Sequence, residues 1–423
     1  MSSFRLSSFG ERFSGPTGIA ELMTDLSSPP ADPSSPFCML GGGNPAIVPE
    51  IDAAWRDALR AIVESPGFSR LAGAYDSQIG PAGFREAVAG LFASRYGWPV
   101  SERNVGVVNG SQLAAFYLIN MFSGPFPDGR RRKILLPVVP EYVGYADQGL
   151  DPDCFSGRRP TIDLIGERSF KYRVDFAGLS PAGLALDDTI GAMLVSRPTN
   201  PTGNVLSDDE VLRLAALARE SGVPLIVDNA YGLPIPHIVF RDAAPIWNED
   251  IVICMSLSKI GLPALRTGIV IARPELIDAL AATNAIASLA TGSLGPAIVE
   301  SLIRSGELER LSREVVRPYY EAKSARALEI IGSELAGLPW RAHASEGAIF
   351  LWLWLPGLPV PSHDLYVKLK ARNVIVLSGE SFFFGLEEDW PHSRECLRLN
   401  YSGNEELFAR GMRILGEELR RLY

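Results

Sequence analysis

Between Asn104 and Ala272 the chain alternates short, wholly apolar runs with amphipathic stretches. NVGVVNG, KILLPVV, GAMLVS, VPLIVD, DIVICMS and TGIVIA each have strand length and almost no polar interior. Continuous apolar strands interleaved with helices predict a mostly parallel sheet covered on both faces. Among the helices, Ile51 to Val63 reads as one. In a second, Phe84, Ala87, Val88, Leu91 and Phe92 share a face at helical spacing after Pro81. QLAAFYLINMF reads as a buried helix, and Ser207 with Glu210 forms a capping box that opens SDDEVLRLAALARES. From about Leu302 the pattern changes to long helices, then a strand in GAIFLWLWL and a terminal helix after Gly403. The first 45 residues, rich in Ser and Pro and ending in LGGGNP, are expected to be irregular. The chain is therefore expected to be α/β: an N-terminal arm and small-domain segment over residues 1–50, a large domain over 51–300, and a smaller α+β domain over 301–423.

Composition narrows the partners. The 423 residues are 47% hydrophobic and 21% charged, which is ordinary for a globular protein and ample for a sizeable core. A net charge of −9 argues against a nucleic-acid partner, which calls for a basic face. No apolar run reaches spanning length, so no membrane segment is expected, and MSSFRLSSFGERFSG lacks the apolar segment of an export signal. Cys38, Cys154, Cys254 and Cys396 are scattered, follow no zinc spacing, and read as reduced thiols of a cytoplasmic protein. The four histidines show no ligand spacing, so no metal site is expected, and His392 in DWPHS is expected at the surface.

In sheets of this kind ligands bind beyond the carboxyl ends of the strands. Five predicted strands end in unusual polar groups: Asn109 to Ser111, Pro140 to Tyr142, Arg197 to Gly203, Asp228 to Tyr231, and Ser256 to Lys259. The last continues as MSLSKIGLPALRTG, where Ser256, Ser258 and Arg266 crowd one lysine. Cations are seldom buried unpaired, so hydroxyls beside two of them suggest a bound anion. A phosphate on a cofactor whose aldehyde end joins Lys259 would satisfy both needs, and pyridoxal phosphate is such a cofactor. Asp228, ending VPLIVD, is then placed to keep a pyridine nitrogen protonated. Backbone amides at Gly110, Ser111 and Gln112, where a helix begins, would hold the phosphate with Ser256, Ser258 and Arg266. The Lys259 amine, once released by an amino-acid substrate, could move a proton between the substrate's Cα and the cofactor.

The stretch from NGSQ through SRPTNPTGN and VDNAYG to SLSKIGLPALRTG resembles the fold-type I pyridoxal-phosphate aminotransferases. LGGGNPAIVPE, PEYVGYAD, CMSLSK, EGAIFLWLW and RLNYS extend the likeness over nearly the whole chain, and the pattern is similar to the bacterial valine–pyruvate branch. The resemblance implies cofactor attachment at Lys259, Asp228 on the pyridine nitrogen, and Asn200 and Tyr231 as donors to the phenolic oxygen. It implies Tyr142 against the ring face and Arg398 as the clamp for the substrate α-carboxylate, with Gly43 closing over it and Asn200 beside it. Tyr75 would reach the phosphate of a second subunit, which implies a homodimer. Substrates would be an amino acid and a 2-oxo acid. With no second arginine devoted to a side-chain carboxylate, and Tyr142, Phe382, Phe383 and Phe384 nearby, valine or alanine with pyruvate is expected. Two departures stand out: Ala264 replaces a usual glycine, and Glu380–Ser381 stand where the branch has histidine and asparagine. A β-lyase or cyclising synthase on the same fold remains an alternative, as does an aminotransferase of specialised metabolism with a different donor and, more remotely, a sensor that keeps the cofactor site.

Overall fold

The computed structural model describes residues 4–15, 17–27, 33–179 and 186–423. The six apolar runs form adjacent strands, in the order Val105–Val108, Gly268–Ile271, Ile251–Ser256, Leu225–Asp228, Ile190–Ser196 and Arg131–Leu136. All run parallel except Gly268–Ile271, which is antiparallel to both neighbours. Phe155–Gly157 extends the sheet in parallel beyond Arg131–Leu136, and Gly124–Pro125 pairs antiparallel there. Every residue of Ile190–Ser196 and Ile251–Ser256 is buried, which is why both strands are apolar on both faces. Each Val, Leu or Ile buried in this way contributes about 1.5–3 kcal/mol. The parallel arrangement has a direct consequence: the carboxyl ends, with the polar groups that follow them, share one edge.

Helix Ser111–Phe122 starts at that edge, directly after Gly110 at φ 96°. Glycine is required there twice over. A side chain is strained at that φ, and a Cβ would lie 2.2 Å from the Arg266 guanidinium. The predicted capping box opens helix Asp208–Glu220: Ser207 Oγ accepts from Glu210 N at 3.2 Å, and the Glu210 carboxylate accepts from Ser207 N at 2.8 Å. The second helix spans Ala82–Tyr96, with Phe84, Ala87, Val88 and Phe92 buried.

A second sheet has the order Leu377–Ser378, Cys396–Asn400, Phe350–Trp354, Arg341–His343, Ser169–Arg173, Thr161–Leu164. The sheets do not partition at residue 300, because the hairpin over residues 161–173 pairs with strands beyond residue 340. Phe170 and Tyr172 seat it, both with essentially no exposure.

Two expectations are corrected. The N-terminal residues are not irregular: Ser8–Phe13 and Gly18–Ser27 are helical, and Cys38–Met39 pairs in parallel with Val374–Ile375. Tertiary partners supply what the local pattern lacks. Arg12 donates to the carbonyls of Gly149 (2.7 Å) and Asp151 (3.2 Å), while the buried Asp25 accepts from Tyr366 Oη and from Lys370 Nζ at 2.5 Å. His392 is not at the surface. It packs among Trp354, Trp390 and Phe383 and bonds the Tyr172 hydroxyl at 2.5 Å; burial drives its pKa down to about 3, so the ring enters the core neutral. No helix of the described residues is long and apolar enough to cross a membrane.

Candidate active site

A cavity of about 490 Å³ opens at the carboxyl edge of the large sheet. Ser111, Gln112, Tyr142, Asn200, Asp228, Tyr231, Ser256, Ser258, Lys259 and Arg266 reach its wall from five strand ends, and Gly43 and Arg398 reach it from elsewhere. Gly110 stands just behind, under Arg266. Of the residues assigned a cofactor or substrate role in the sequence, Tyr75 lies well away from this cavity. It is 86% exposed and lines a separate surface hollow with Arg70 and Ser293.

Lys259 sits in a short turn of helix, Leu257–Ile260, that interrupts the chain as it leaves strand Ile251–Ser256. Its Nζ donates to Gly43 O at 2.8 Å and lies 5.3 Å from the Tyr231 ring centroid. Burial, with Arg398 and Arg266 repelling the ammonium and Asp228 partly offsetting them, pulls its pKa down to about 8. An amine so tuned is neutral often enough near pH 8 to attack an aldehyde.

Asp228 ends its strand, accepts from Ala230 N at 2.9 Å and takes a short hydrogen bond from Tyr145 Oη. Burial raises its pKa, while Tyr145, the Ala230 amide and Lys259 act in the opposite direction. Arg398 is 1% exposed; it donates to Asn200 Oδ1 at 2.8 Å and to Gly41 O at 2.6 Å, with its guanidinium 4.1 Å from the Phe350 ring centroid. Burial lowers its pKa to about 10, still well above neutrality. Its Nε has no hydrogen-bond partner, an expensive state for a buried donor unless a ligand supplies an acceptor. Asn200 spends its carbonyl oxygen on Arg398, which leaves the amide nitrogen to donate elsewhere.

These groups fit pyridoxal phosphate. An amine of lowered pKa faces a carboxylate across the cavity, and a helix N-terminus beside Ser256, Ser258 and Arg266 offers a phosphate cup. The Arg398 guanidinium adds a cation to the same cavity.

Several contributors were not legible from sequence. Tyr145 follows Tyr142 by three residues in a single helical turn, and the two rings meet edge to face at 5.1 Å; that spacing was the available signal. Ser196 lines the wall as the last residue of its strand, opposite Asp228 in register. Ile19, Met23 and Met39 form an apolar wall from the arm, and no local signal marked them. The expected aromatic wall is corrected. Phe382 and Phe383 are buried against Trp352, and Phe384 packs on Phe155, so of the four aromatics only Tyr142 lines the cavity. Glu380 is likewise absent from the wall. Its Oε1 accepts from Ser362 Oγ and His363 N, both at 3.4 Å, at the start of helix Ser362–Lys370, a position that suits a carboxylate. Ala264 is exposed.

The family model for aminotransferase class I and II matches residues 167–415. The valine–pyruvate aminotransferase of Escherichia coli K12 is 44% identical over 98% of each chain. The crystal structure of valine–pyruvate aminotransferase from Salmonella typhimurium LT2 superposes with a TM-score of 0.86 at 42% identity, covering 96% of this chain and 99% of that one. A Psychrobacter arcticum 273-4 structure, provisionally assigned as an amino-acid aminotransferase, superposes with a TM-score of 0.95 at 38% identity over 99% of each chain.

Proposed function

The chain belongs to the class I and II aminotransferases, and on that premise we propose that it exchanges an amino group between valine or alanine and a 2-oxo acid such as pyruvate. It is a pyridoxal-phosphate enzyme of fold type I. Bound in the cavity, the cofactor supplies an electron sink for the substrate's Cα–H bond.

The chain's own groups divide the remaining work. Ser111, Gln112, Ser256, Ser258 and Arg266, with the Gly110 turn, hold the phosphate; Tyr142 packs on the ring, where offset stacking is favourable. Asp228, oriented by Tyr145, keeps a proton on the pyridine nitrogen. Asn200 and Tyr231 donate to the phenolic oxygen. Lys259 would anchor the cofactor, and its amine, once freed, would be placed to move a proton between the substrate's Cα and the cofactor. Arg398 holds the α-carboxylate in a guanidinium fork, and Gly43, already bonded to Lys259, closes over it from the arm.

The observation that carries the substrate reading is the cavity's composition. Arg266 and Arg398 are the only arginines on its wall among the described residues, and the wall left for a side chain is mostly apolar: Ile19, Met23 and Met39 with Pro198, Ala230 and Pro263, beside the uncharged Asn44. With both arginines assigned, a dicarboxylate would bring an unpaired charge against apolar surface, costing several kcal/mol. A valine side chain brings about 0.8 kcal/mol of favourable burial per carbon group. Similarity to the two valine–pyruvate enzymes supports the same reading.

The working unit is a homodimer in the cytoplasm. Tyr75 acquires a phosphate to bind only across a subunit boundary, and the strongly exposed Ile47, Tyr75, Ile286 and Leu289 are suited to a covered face. All four cysteines are free and buried, in keeping with a reducing compartment.

Half-reactions of the holoenzyme with valine, alanine, glutamate, aspartate and ornithine test this reading through loss of the visible cofactor absorbance. Valine and alanine should give the highest kcat/KM, with one 2-oxo acid formed per site and no free ammonia. Glutamate or ornithine exceeding both by about tenfold, some 1.4 kcal/mol of preference, would overturn the apolar-donor reading. Ammonia release would indicate a lyase.

A further inference from the structure

Directly beneath Asp228 lies a second carboxyl group that the chemistry above does not use. Glu141 has no solvent exposure. Its Oε1 accepts from Ser196 N at 2.7 Å, and its Oε2 meets Ser196 Oγ at 2.6 Å and Tyr142 N at 3.2 Å. The Ser196 side chain lies near enough to favour the ionised form of the Tyr145 phenol, and that phenol bonds Asp228. Ser196 and Asp228 are register partners at the ends of adjacent parallel strands, so the backbone itself fixes the spacing of this chain of groups. A short polar path, Glu141–Ser196–Tyr145–Asp228, therefore joins a buried carboxyl to one on the cavity wall.

Two such groups do not both ionise cheaply. Asp228 has the stronger claim to the charge, with Lys259 attracting it and two donors on its oxygens. Among the described residues no cation bonds Glu141. The elements packed around it bring Asp228 from one strand and Tyr142 and Tyr145 from its own loop, and Asp228 is the one charge that acts on it. We propose that Glu141 is a positioning residue that stays protonated at neutral pH and, through Ser196 and Tyr145, holds Asp228 in its ionised, pyridine-facing state.

In that state Glu141 donates to Ser196 Oγ, Ser196 to Tyr145 and Tyr145 to Asp228, so every donor points toward the working carboxylate. The hydroxyl oxygen of a protonated carboxyl still accepts from Tyr142 N. Burial pushes the Glu141 pKa up to about 8, with the Ser196 and Tyr142 donors opposing the rise and Asp228 adding to it. When Glu141 loses its proton, the Ser196 hydrogen turns back toward it, Tyr145 becomes a poorer donor, and a second negative charge appears below the pyridine. All nearby proton affinities then rise, including that of the cofactor linkage.

The inference rests on the Asp228 assignment above, and its test is a pH titration of the visible cofactor spectrum in wild-type and Glu141→Gln holoenzymes. The amide donates as the protonated acid does but cannot ionise. Wild type should show an alkaline spectral step that Glu141→Gln lacks or shifts by about one pH unit or more, equivalent to about 1.4 kcal/mol. Superimposable titrations would overturn the proposal, as would a Glu141→Gln protein whose neutral spectrum already matches alkaline wild type. Should Glu141→Gln fail to fold, Ser196→Ala cuts the same path with Glu141 intact; it should also move the step, and an unmoved step overturns the proposal. Borohydride labelling of wild type separates the two levels: failure to label Lys259 rejects the underlying assignment, whereas a labelled Lys259 with unchanged titrations rejects only the role of Glu141.

Discussion

The cofactor end and the substrate end of the cavity are built in different ways. At the cofactor end, polar groups from Gly110 to Arg266 follow directly on buried strands, so the sheet itself sets where each one starts. At the substrate end, Ile19, Met23 and Met39 come from the N-terminal arm and Arg398 from a strand of the second sheet. Contacts between distant segments hold that end: Arg398 to Gly41, Asn400 Nδ2 to Gly42 O at 2.6 Å, and Asp25 to Tyr366 and Lys370. The difference separates two tasks. Bond-making chemistry sits where backbone geometry leaves little freedom, and the choice of side chain is left to a wall that can be changed without disturbing it.

That separation breaks first at Lys259. Lys259→Ala removes the covalent anchor and the proton carrier together, and turnover should fall by about 10⁴-fold or more, proton transfer alone accounting for about 10²–10⁴. Asp228→Asn should retain cofactor but lose a charge-assisted hydrogen bond worth about 1.5–3 kcal/mol, lowering kcat roughly ten- to a hundredfold. Near-normal turnover in that variant would remove Asp228 from its role. Crossing to the other end, Arg398→Lys replaces the fork with a point charge. Amino-acid KM should rise by roughly tenfold, about 1.4 kcal/mol, with a smaller change in kcat; the reverse split would place Arg398 in the chemical step. Ile19→Ala and Met23→Ala should each lower kcat/KM for valine only severalfold, on a scale of about 0.8 kcal/mol per methylene, and leave alanine nearly unchanged. Equal losses for both substrates would mean that the arm serves closure and not choice. The smallest effect is one of pH. Because the Lys259 amine is held at about 8, the rate of cofactor attachment to the apoprotein should climb as pH rises toward that value, as the neutral amine accumulates, and level off above it. A rate still climbing toward the ordinary lysine range would show that the amine is not depressed.

The same contrast explains what could be read from the chain. Buried parallel strands announce themselves as unbroken apolar runs, and the polar residue at each strand end inherits its place from the strand. Lys259, Asp228, Asn200 and Tyr231 were therefore legible together with the large sheet. Gly110 was legible because it opens the helix that follows a strand end; its φ and its approach to Arg266, which require glycine, came only with the structure. Ile19 and Met23 were not, since a lone aliphatic residue in a Ser- and Pro-rich arm carries no periodic signal, and their helix is tied down by Asp25 bonding Tyr366 and Lys370, residues far along the chain. His392 misled for a related reason. Its neighbours in DWPHS read as a polar turn, while the aromatic rings that enclose it come largely from other strands. The Phe382–Phe384 run pointed to the wrong face, because Phe382 and Phe383 turn into the core against Trp352 and Phe384 turns to Phe155.

Borohydride reduction of the yellow holoenzyme, followed by peptide mapping, tests the central claim most directly. Reduction should fix the cofactor irreversibly on a single lysine, and the labelled peptide should contain Lys259 between Ser258 and Ile260. A label on any other lysine, or none, would contradict the placement of the reaction at this strand end.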